Sequence, residues 1–277
     1  MINTIIKYFK LIPLLPRIFY EKIGHKIVDV FNKSELLKYY LIPVNVKKVK
    51  LTIVTGCDSS HFKSQIQFLN SLYQHEPSIK TIYYDLGITD VQRNTIVNNF
   101  PFVVVKKFDF IEYPDYFNIK KNAGEYAWKP IIIWNELINS SNLILWFDAG
   151  TLIIDNLNYI RRILKIRGFY SPFSAGVIKD WTHEGMIRYL NIEDDKFNKR
   201  NLSGGVVGYN ANNSKAKLLA ERCYNYAKVK ECIAPSGSNR SNHRQDQALL
   251  TVLAYKFNMV KGMPKKYYGF DVHRDID

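Results

Sequence analysis

The chain has 277 residues, 47% of them hydrophobic, which suffices for one large α/β domain with a full core, and one is expected. Thirty-nine Lys and Arg against 25 Asp and Glu leave a net charge of +14, which favours an anionic partner: nucleic acid, an anionic membrane face or a phosphorylated small molecule. Three cysteines, Cys57, Cys223 and Cys232, are too few and too irregularly spaced for a disulfide framework or a zinc knuckle, and they suit a reducing compartment.

Residues 1–48 read as a separate amino-terminal arm. The first fifty residues hold ten Lys/Arg and three Asp/Glu, half of the net excess. Residues 1–31 mix Ile, Leu, Phe and Tyr with Lys7, Lys10, Arg17, Lys22 and Lys26, and Pro13 and Pro16 interrupt any helix, so a membrane span is not expected. The composition suits an arm lying on an anionic membrane surface; a helical arm packed on the domain and an uncleaved signal anchor are also open. The Asn-x-Ser sites at Asn32, Asn139, Asn201, Asn212 and Asn239 matter only in a secretory lumen, and an Asn-rich chain produces them by chance. The expected location is cytoplasmic, peripheral at the inner face of the membrane.

Residues 49–277 form the main domain. "LTIVTG" (51–56) predicts a strand, and Phe62, Ile66, Leu69 and Tyr73 then fall on one helical face. "TIYYDLG" (81–87) is the next strand, and Thr89 with Gln92 forms a capping-box start for a short helix before a strand over "FVVVKKF" (102–108). A helix carrying Ala127, Ile131, Trp134 and Ile138 leads into "NLILWFD" (142–148). Farther on, "GFYSPFS" (168–174), "LSGGVVGYN" (202–210) and "MVK" (259–261) read as strands, with helices near 183–190, 214–228 and 245–257. Strand and helix alternate, which predicts an α/β fold: a mostly parallel central sheet with helices on both faces and its ligands beyond the carboxyl ends of the strands. Asp148 falls at such an end.

The stretches "TIVTGCDSSHF", "EYAWKP", "LWFDAGTLI", "LSGGVVGYN" and "HRQDQALL", in this order over residues 50–255, resemble the GT-A class of nucleotide-sugar glycosyltransferases. They look most like the branch containing glycogenin and bacterial lipopolysaccharide galactosyltransferases. The resemblance implies the GT-A (nucleotide-diphospho-sugar transferase) fold. It also implies hexosyl transfer from a nucleotide-diphosphate donor, a UDP-sugar, to a saccharide or glycolipid acceptor in surface polysaccharide or lipopolysaccharide assembly. Each motif alone is weak, and order and spacing carry the likeness.

By that resemblance Thr55, Gly56 and Asp58 face the nucleoside, although Asp58 also suits a helix cap near Ser60. Asp148 and Ala149 open the motif that holds Mn²⁺ or Mg²⁺ on the diphosphate, but Gly150 stands where the family's Asp-x-Asp has its second carboxylate. His273 in "DVHRDID" is the implied replacement ligand, with Asp271 and Asp275 offering oxygen nearby; a frayed tail would read the same way. Without metal, Lys129, Arg240 and Arg244 would clamp the diphosphate. Ser203, Gly204 and Gly205 match the wall of the donor site. Asp246 would serve sugar hydroxyls or act as the acceptor base, and Gln247 would lie near the anomeric carbon; the macrodipole also favours an acid in that first helical turn.

His61, His183 and His243 have no ligand spacing, while Trp181, beside Asp180, His183 and Glu184, is a candidate acceptor platform. A nucleotidyltransferase is disfavoured by the absence of its Gly-rich phosphate signature near the first strand. Gly150 leaves room for a catalytically weak nucleotide-sugar binder, and the charge of +14 for a basic nucleic-acid or membrane-surface binding module. A transferase of this kind is expected to have no nucleic-acid partner.

Overall fold

In a computed structural model, residues 42–260 and 268–277 are described. Most of the amino-terminal arm and Lys261 therefore lie outside the described residues. Among those described, no helix is long and apolar enough to cross a membrane.

The main sheet has six strands: β1 (Leu51–Cys57), β2 (Lys80–Asp85), β3 (Val103–Lys107), β4 (Leu143–Phe147), β6 (Phe169–Tyr170) and β9 (Val206–Asn210). Their order is β3-β2-β1-β4-β9-β6. The first four are parallel, and β9 runs antiparallel to β4 and to β6. Among the described residues two short pairs complete the strands: β5 (Leu152–Ile153) with β10 (Phe270–Asp271), and β7 (Phe173–Val177) with β8 (Arg200–Leu202).

The pleat sorts side chains between two cores. Along β4, Leu143, Leu145 and Phe147 join one apolar cluster and Ile144 and Trp146 join the other, as the two-residue period of a strand requires. The first cluster is closed by α1 (Phe62–His75) and α4 (Asn158–Arg167). The second is closed by α3 (Trp128–Ile138), α7 (Ser214–Ala227) and α9 (Gln245–Lys256). Burying both faces explains why β1 and β4 read as continuous apolar runs rather than as alternating ones.

Of the remaining helices, α2 (Asp90–Asn99) starts at the Thr89/Gln92 capping box expected of it. Short helices α5 (Ile178–Trp181), α6 (Glu184–Leu190) and α8 (Lys230–Ile233) fill the connections. The stripe expected on α1 is shifted: Gln65, Phe68, Leu69 and Leu72 are buried, whereas Tyr73 is 55% exposed. "GFYSPFS" breaks into β6 and β7 in different sheets, because Pro172 has no N–H to continue a ladder. "LSGGVVGYN" breaks likewise, with Ser203–Gly205 as the turn between β8 and β9. Met259 and Val260 form no strand.

Helix α4 goes beyond the elements expected from the sequence. Its buried residues Ile160, Ile163 and Leu164 and its left-handed cap at Gly168 (φ 86°), whose N–H donates to the Leu164 carbonyl, are nonetheless a legible helix signature. At its amino-terminal end the Glu76–Arg161 pair is nearly buried, and Glu76 Oε1 also accepts from the Leu157 N–H at 2.7 Å.

Candidate active site

Asp148 follows β4 by one residue, so the pleat turns it to the same side as Trp146, and the Trp146 indole N–H donates to Asp148 Oδ1 at 2.6 Å. Because β9 is antiparallel, its entry turn Ser203–Gly205 lies at the carboxyl end of β4, where the Asp148 N–H donates to the Gly205 carbonyl at 2.9 Å. The glycines there are a matter of space. A Cβ on Gly205 would come within 3.0 Å of Asp148 Oδ2, and one on Gly204 would meet Gln247 Cβ at 3.0 Å and Asp246 Oδ2 at 3.2 Å.

Lys129 joins these elements. From the first turn of α3 its ammonium lies 2.9 Å from Asp148 Oδ1 and 3.2 Å from Asp246 Oδ2, and donates to the Gly204 carbonyl at 3.2 Å. The residue is only 3% exposed, and the rings of Tyr126, Trp128 and Trp146 stand within 6 Å of the nitrogen. Burial pushes its pKa down, but attraction to Asp148 and Asp246 outweighs that and leaves it above the ordinary lysine value. Burial pushes Asp246 up to about 6, against the pull of Lys129 and with the repulsion of Asp148 adding to the rise. The first-turn position of Asp246 does not prevent this, because the cost of dehydrating a carboxylate exceeds what a helix terminus returns.

These residues floor a cleft of about 400 Å³. Its lining includes Gly56, Asp58 and His61 from the end of β1 and the turn after it, Asp148, Ala149 and Gly150 after β4, Ser203, Gly204 and Gly205 before β9, Asp246 and Gln247 at the start of α9, Arg240 and Arg244 just before α9, and Val272, His273 and Asp275 from the tail. Thr55 does not reach it: the residue is fully buried and its hydroxyl donates to Gln65 Oε1 at 3.2 Å.

Asp58 caps the turn at Ser59–His61, as expected of a helix cap, but Oδ1 alone accepts from Ser60 and His61, and Oδ2 of this cleft-lining residue has no hydrogen-bond partner among the described residues. His61 holds the Asp58 pKa down to about 2, against the cost of burial, and Asp58 in turn raises that of His61. The i,i+3 spacing of Asp58 and His61 in a βα turn is the sequence signal for this pair.

Lys129 departs from the role of diphosphate clamp, since its charge is already taken by two carboxylates. The cations left facing the cleft are Arg240 and Arg244, neither of which has a carboxylate partner among the described residues. Arg244 lies 4.2 Å over the Trp181 ring, so the face expected to stack on a sugar carries a guanidinium. His183 does not line the cleft: its Nδ1 caps α6 by accepting from the Gly185 N–H, and Glu184 pairs with Arg188 at the surface. His243 is buried, and burial lowers its pKa to about 4; its Nδ1 accepts from the His183 N–H, so Nε2 carries the proton facing the Ile233 carbonyl.

Residues Asn122–Tyr126 run through five consecutive left-handed conformations, with φ between 48° and 60°. Only one of them is glycine. Such backbone is costly for L residues, and here it delivers Ala123 and Tyr126 to the cleft wall while Glu125 accepts from Gln245 Nε2 at 3.0 Å. Composition gives no hint of it.

The tail is not frayed. β10 pairs with β5, buried Phe270 stacks edge-on to Phe147 at 5.3 Å, and Asp277 Oδ1 accepts from the N–H groups of Lys63 and Ser64 at the start of α1. His273 and Asp275 are thereby held at the cleft, while Asp271 pairs with Arg274.

The donor set suits a divalent ion bound together with a diphosphate. Asp148 Oδ2 has no hydrogen-bond partner among the described residues, and imidazole and carboxylate groups line the same cleft. No three His, Cys, Asp or Glu side chains among the described residues already surround one point. Mg²⁺ in such sites is commonly held by one or two carboxylates, waters and the substrate phosphates.

The profile of a family described as "Protein of unknown function (DUF1647)" matches residues 23–134, less than half of the chain. No curated protein matches. Solved structures do. The galactosyltransferase LgtC, in complex with donor and acceptor sugar analogues, is 16% identical with a TM-score of 0.52, covering 73% of this chain and 70% of its own. Core-mannan synthase A of Aspergillus fumigatus, in an Mn/GDP form, is 6% identical with a TM-score of 0.51, covering 78% and 72%. The bifunctional glycosyltransferase WbbM is 14% identical with a TM-score of 0.50; the match covers 76% of this chain but only 38% of WbbM. The fold is therefore that of the GT-A glycosyltransferases.

Proposed function

We propose that the protein is a glycosyltransferase that moves a hexosyl group from a nucleotide diphosphate, UDP foremost, to a hydroxyl of a saccharide or glycolipid. The observation that carries this reading is the buried Lys129 ammonium tying Asp148 and Asp246 together at the carboxyl end of the sheet, on the floor of a cleft. Two carboxylates fastened to one rigid cation keep their positions while substrate binds, which is what orientation-dependent catalysis needs.

In this reading the nucleoside lies against Gly56 and Asp58, and the diphosphate lies over Asp148 with Arg240 and Arg244 as counter-charge. Asp148 and His273 would hold a divalent ion, which when bound offsets the charge developing on the departing diphosphate. Asp246, with its pKa near 6, is ionised at neutral pH and basic enough to take the proton of the acceptor hydroxyl. Gln247, on the same helical turn beside Gly204, is placed to hydrogen-bond the transferred sugar.

A screen of nucleotide sugars for nucleotide release, with and without Mn²⁺, tests the proposal. Asp148→Asn should cut turnover by about 100-fold or more with folding intact, since the Asp148 side chain is 45% exposed. An unchanged rate would sink the assignment. Gly150 supports a second reading, a protein that binds nucleotide sugar without turnover; it predicts UDP binding with no release from any donor. The basic composition of residues 1–31 supports a cytoplasmic enzyme docked on an anionic membrane, so sedimentation with anionic but not neutral vesicles is expected at low salt.

A further inference from the structure

We infer that Asp275, carried on the docked carboxyl-terminal segment, supplies the second carboxylate of a divalent-cation site that the strand-end motif lacks at Gly150. The inference rests on the nucleotide-sugar reading of the cleft and adds to it a ligand from a distant part of the chain.

Gly150 is not required by its backbone, because its φ lies outside the left-handed region. It is required by space: a Cβ built there would lie 2.5 Å from Asp275 Cγ. The carboxylate of Asp275 therefore fills the volume into which a side chain at position 150 would grow. Where the resembled motif carries its second acid this chain has glycine, and an acid from the tail occupies that room.

Asp275 is held there by its neighbours and not by its own side chain. The Arg274 N–H donates to the Gly150 carbonyl at 2.8 Å, Gln67 Nε2 donates to the Arg274 carbonyl at 3.0 Å, and the Ile276 N–H donates to Ser64 Oγ at 2.9 Å. The Asp275 carboxylate has no hydrogen-bond or ion-pair partner among the described residues, whereas Asp271, the other acid available, is paired with Arg274. Asp58, Asp148 and Asp246 line the same cleft, where Lys129 pairs with the last two and His61 with Asp58. The Asp275 carboxylate and Asp148 Oδ2 offer carboxylate oxygens there with no partner among the described residues, the ligand type a hard divalent ion takes. His273, two residues away in a left-handed conformation (φ 57°), faces the same cleft and adds a nitrogen that Mn²⁺ accepts alongside oxygen.

Mn²⁺ binding to the purified full chain, read by electron paramagnetic resonance of the free ion in titrations with and without UDP, tests this. Wild type should bind Mn²⁺ more tightly when UDP is present. Asp275→Asn should weaken that binding by at least about tenfold, since even groups that only support metal ligands are worth that much. UDP affinity without metal should not fall, because the substitution removes a negative charge from the cleft that takes the diphosphate. Gly150→Asp combined with Asp275→Ala, which returns the acid to the strand end and vacates the space, should restore the affinity. Wild-type Mn²⁺ affinity in Asp275→Asn, or failure of the double variant to recover, overturns the inference while leaving the transferase reading in place. A wild-type chain that binds no UDP overturns that reading itself.

Discussion

Replacing Lys129 with Met removes a buried ammonium at nearly constant volume and leaves Asp246 dehydrated without its cation. At 3.2 Å and an effective dielectric near 20 the Lys129–Asp246 attraction is about 5 kcal/mol, equivalent to roughly three to four pKa units. The carboxyl of Asp246, at about 6 in the native protein, should then stay protonated well above neutrality.

Because its folded pKa lies above the ordinary carboxylate value of 3.8, the stability linked to Asp246 is full below that value and falls as pH rises through about 6. In Lys129→Met the fall continues to higher pH. The two proteins should therefore match near pH 5, apart from packing, and differ by about 3 kcal/mol at pH 8, or about 6–12 °C in Tm. Asp148, at 45% exposure, adds little after solvent screening. Thermal unfolding at pH 5 and pH 8 measures the difference. Equal destabilisation at both values would mean that Lys129 contributes packing and not charge, and would refute the trio as an electrostatic unit.

Gly204→Val should leave Tm within a few degrees but abolish donor turnover, because its side chain would press on Gln247 and Asp246; comparison of melting and nucleotide release checks this. Glu76→Gln should cost about 3–5 kcal/mol by leaving Arg161 nearly buried without its partner, read by urea denaturation. Burial pushes the Cys57 and Cys232 thiols up to about 12 and Cys223 higher still, so none should react with iodoacetamide at pH 8 until the chain unfolds; mass spectrometry of labelled native protein tests it.

Most of the strand and helix alternation is legible in the sequence because burial on both sheet faces writes long apolar runs, as at Leu143–Phe147, and because caps such as Thr89/Gln92 are local chemistry. The errors fall where a local pattern is compatible with two tertiary outcomes. Tyr73 fits the periodicity of α1 but not its buried face, and the runs at 168–174 and 202–210 look continuous although the chain changes sheets within each. The same holds at the site. Asp58, Asp148, Gly204 and Asp246 can be picked out from strand ends and helix starts, whereas Thr55, three residues before Asp58, points into the core. The pairing of His61 with Asp58 and the left-handed run at Asn122–Tyr126 escape a reading by ligand spacing and composition: the first is a hydrogen bond within a single turn, and the second carries no compositional mark.

Sequence alone determined the layered α/β architecture and which strand ends carry acids, because periodicity and capping are properties of neighbouring residues. Only the tertiary structure decided what those acids face. That Lys129 is spent on Asp148 and Asp246, that Arg244 covers Trp181, and that Asp275 fills the space above Gly150 all depend on contacts between distant segments. Such contacts are set by the reversal of β9 and the docking of the tail, and no local pattern of side chains encodes them.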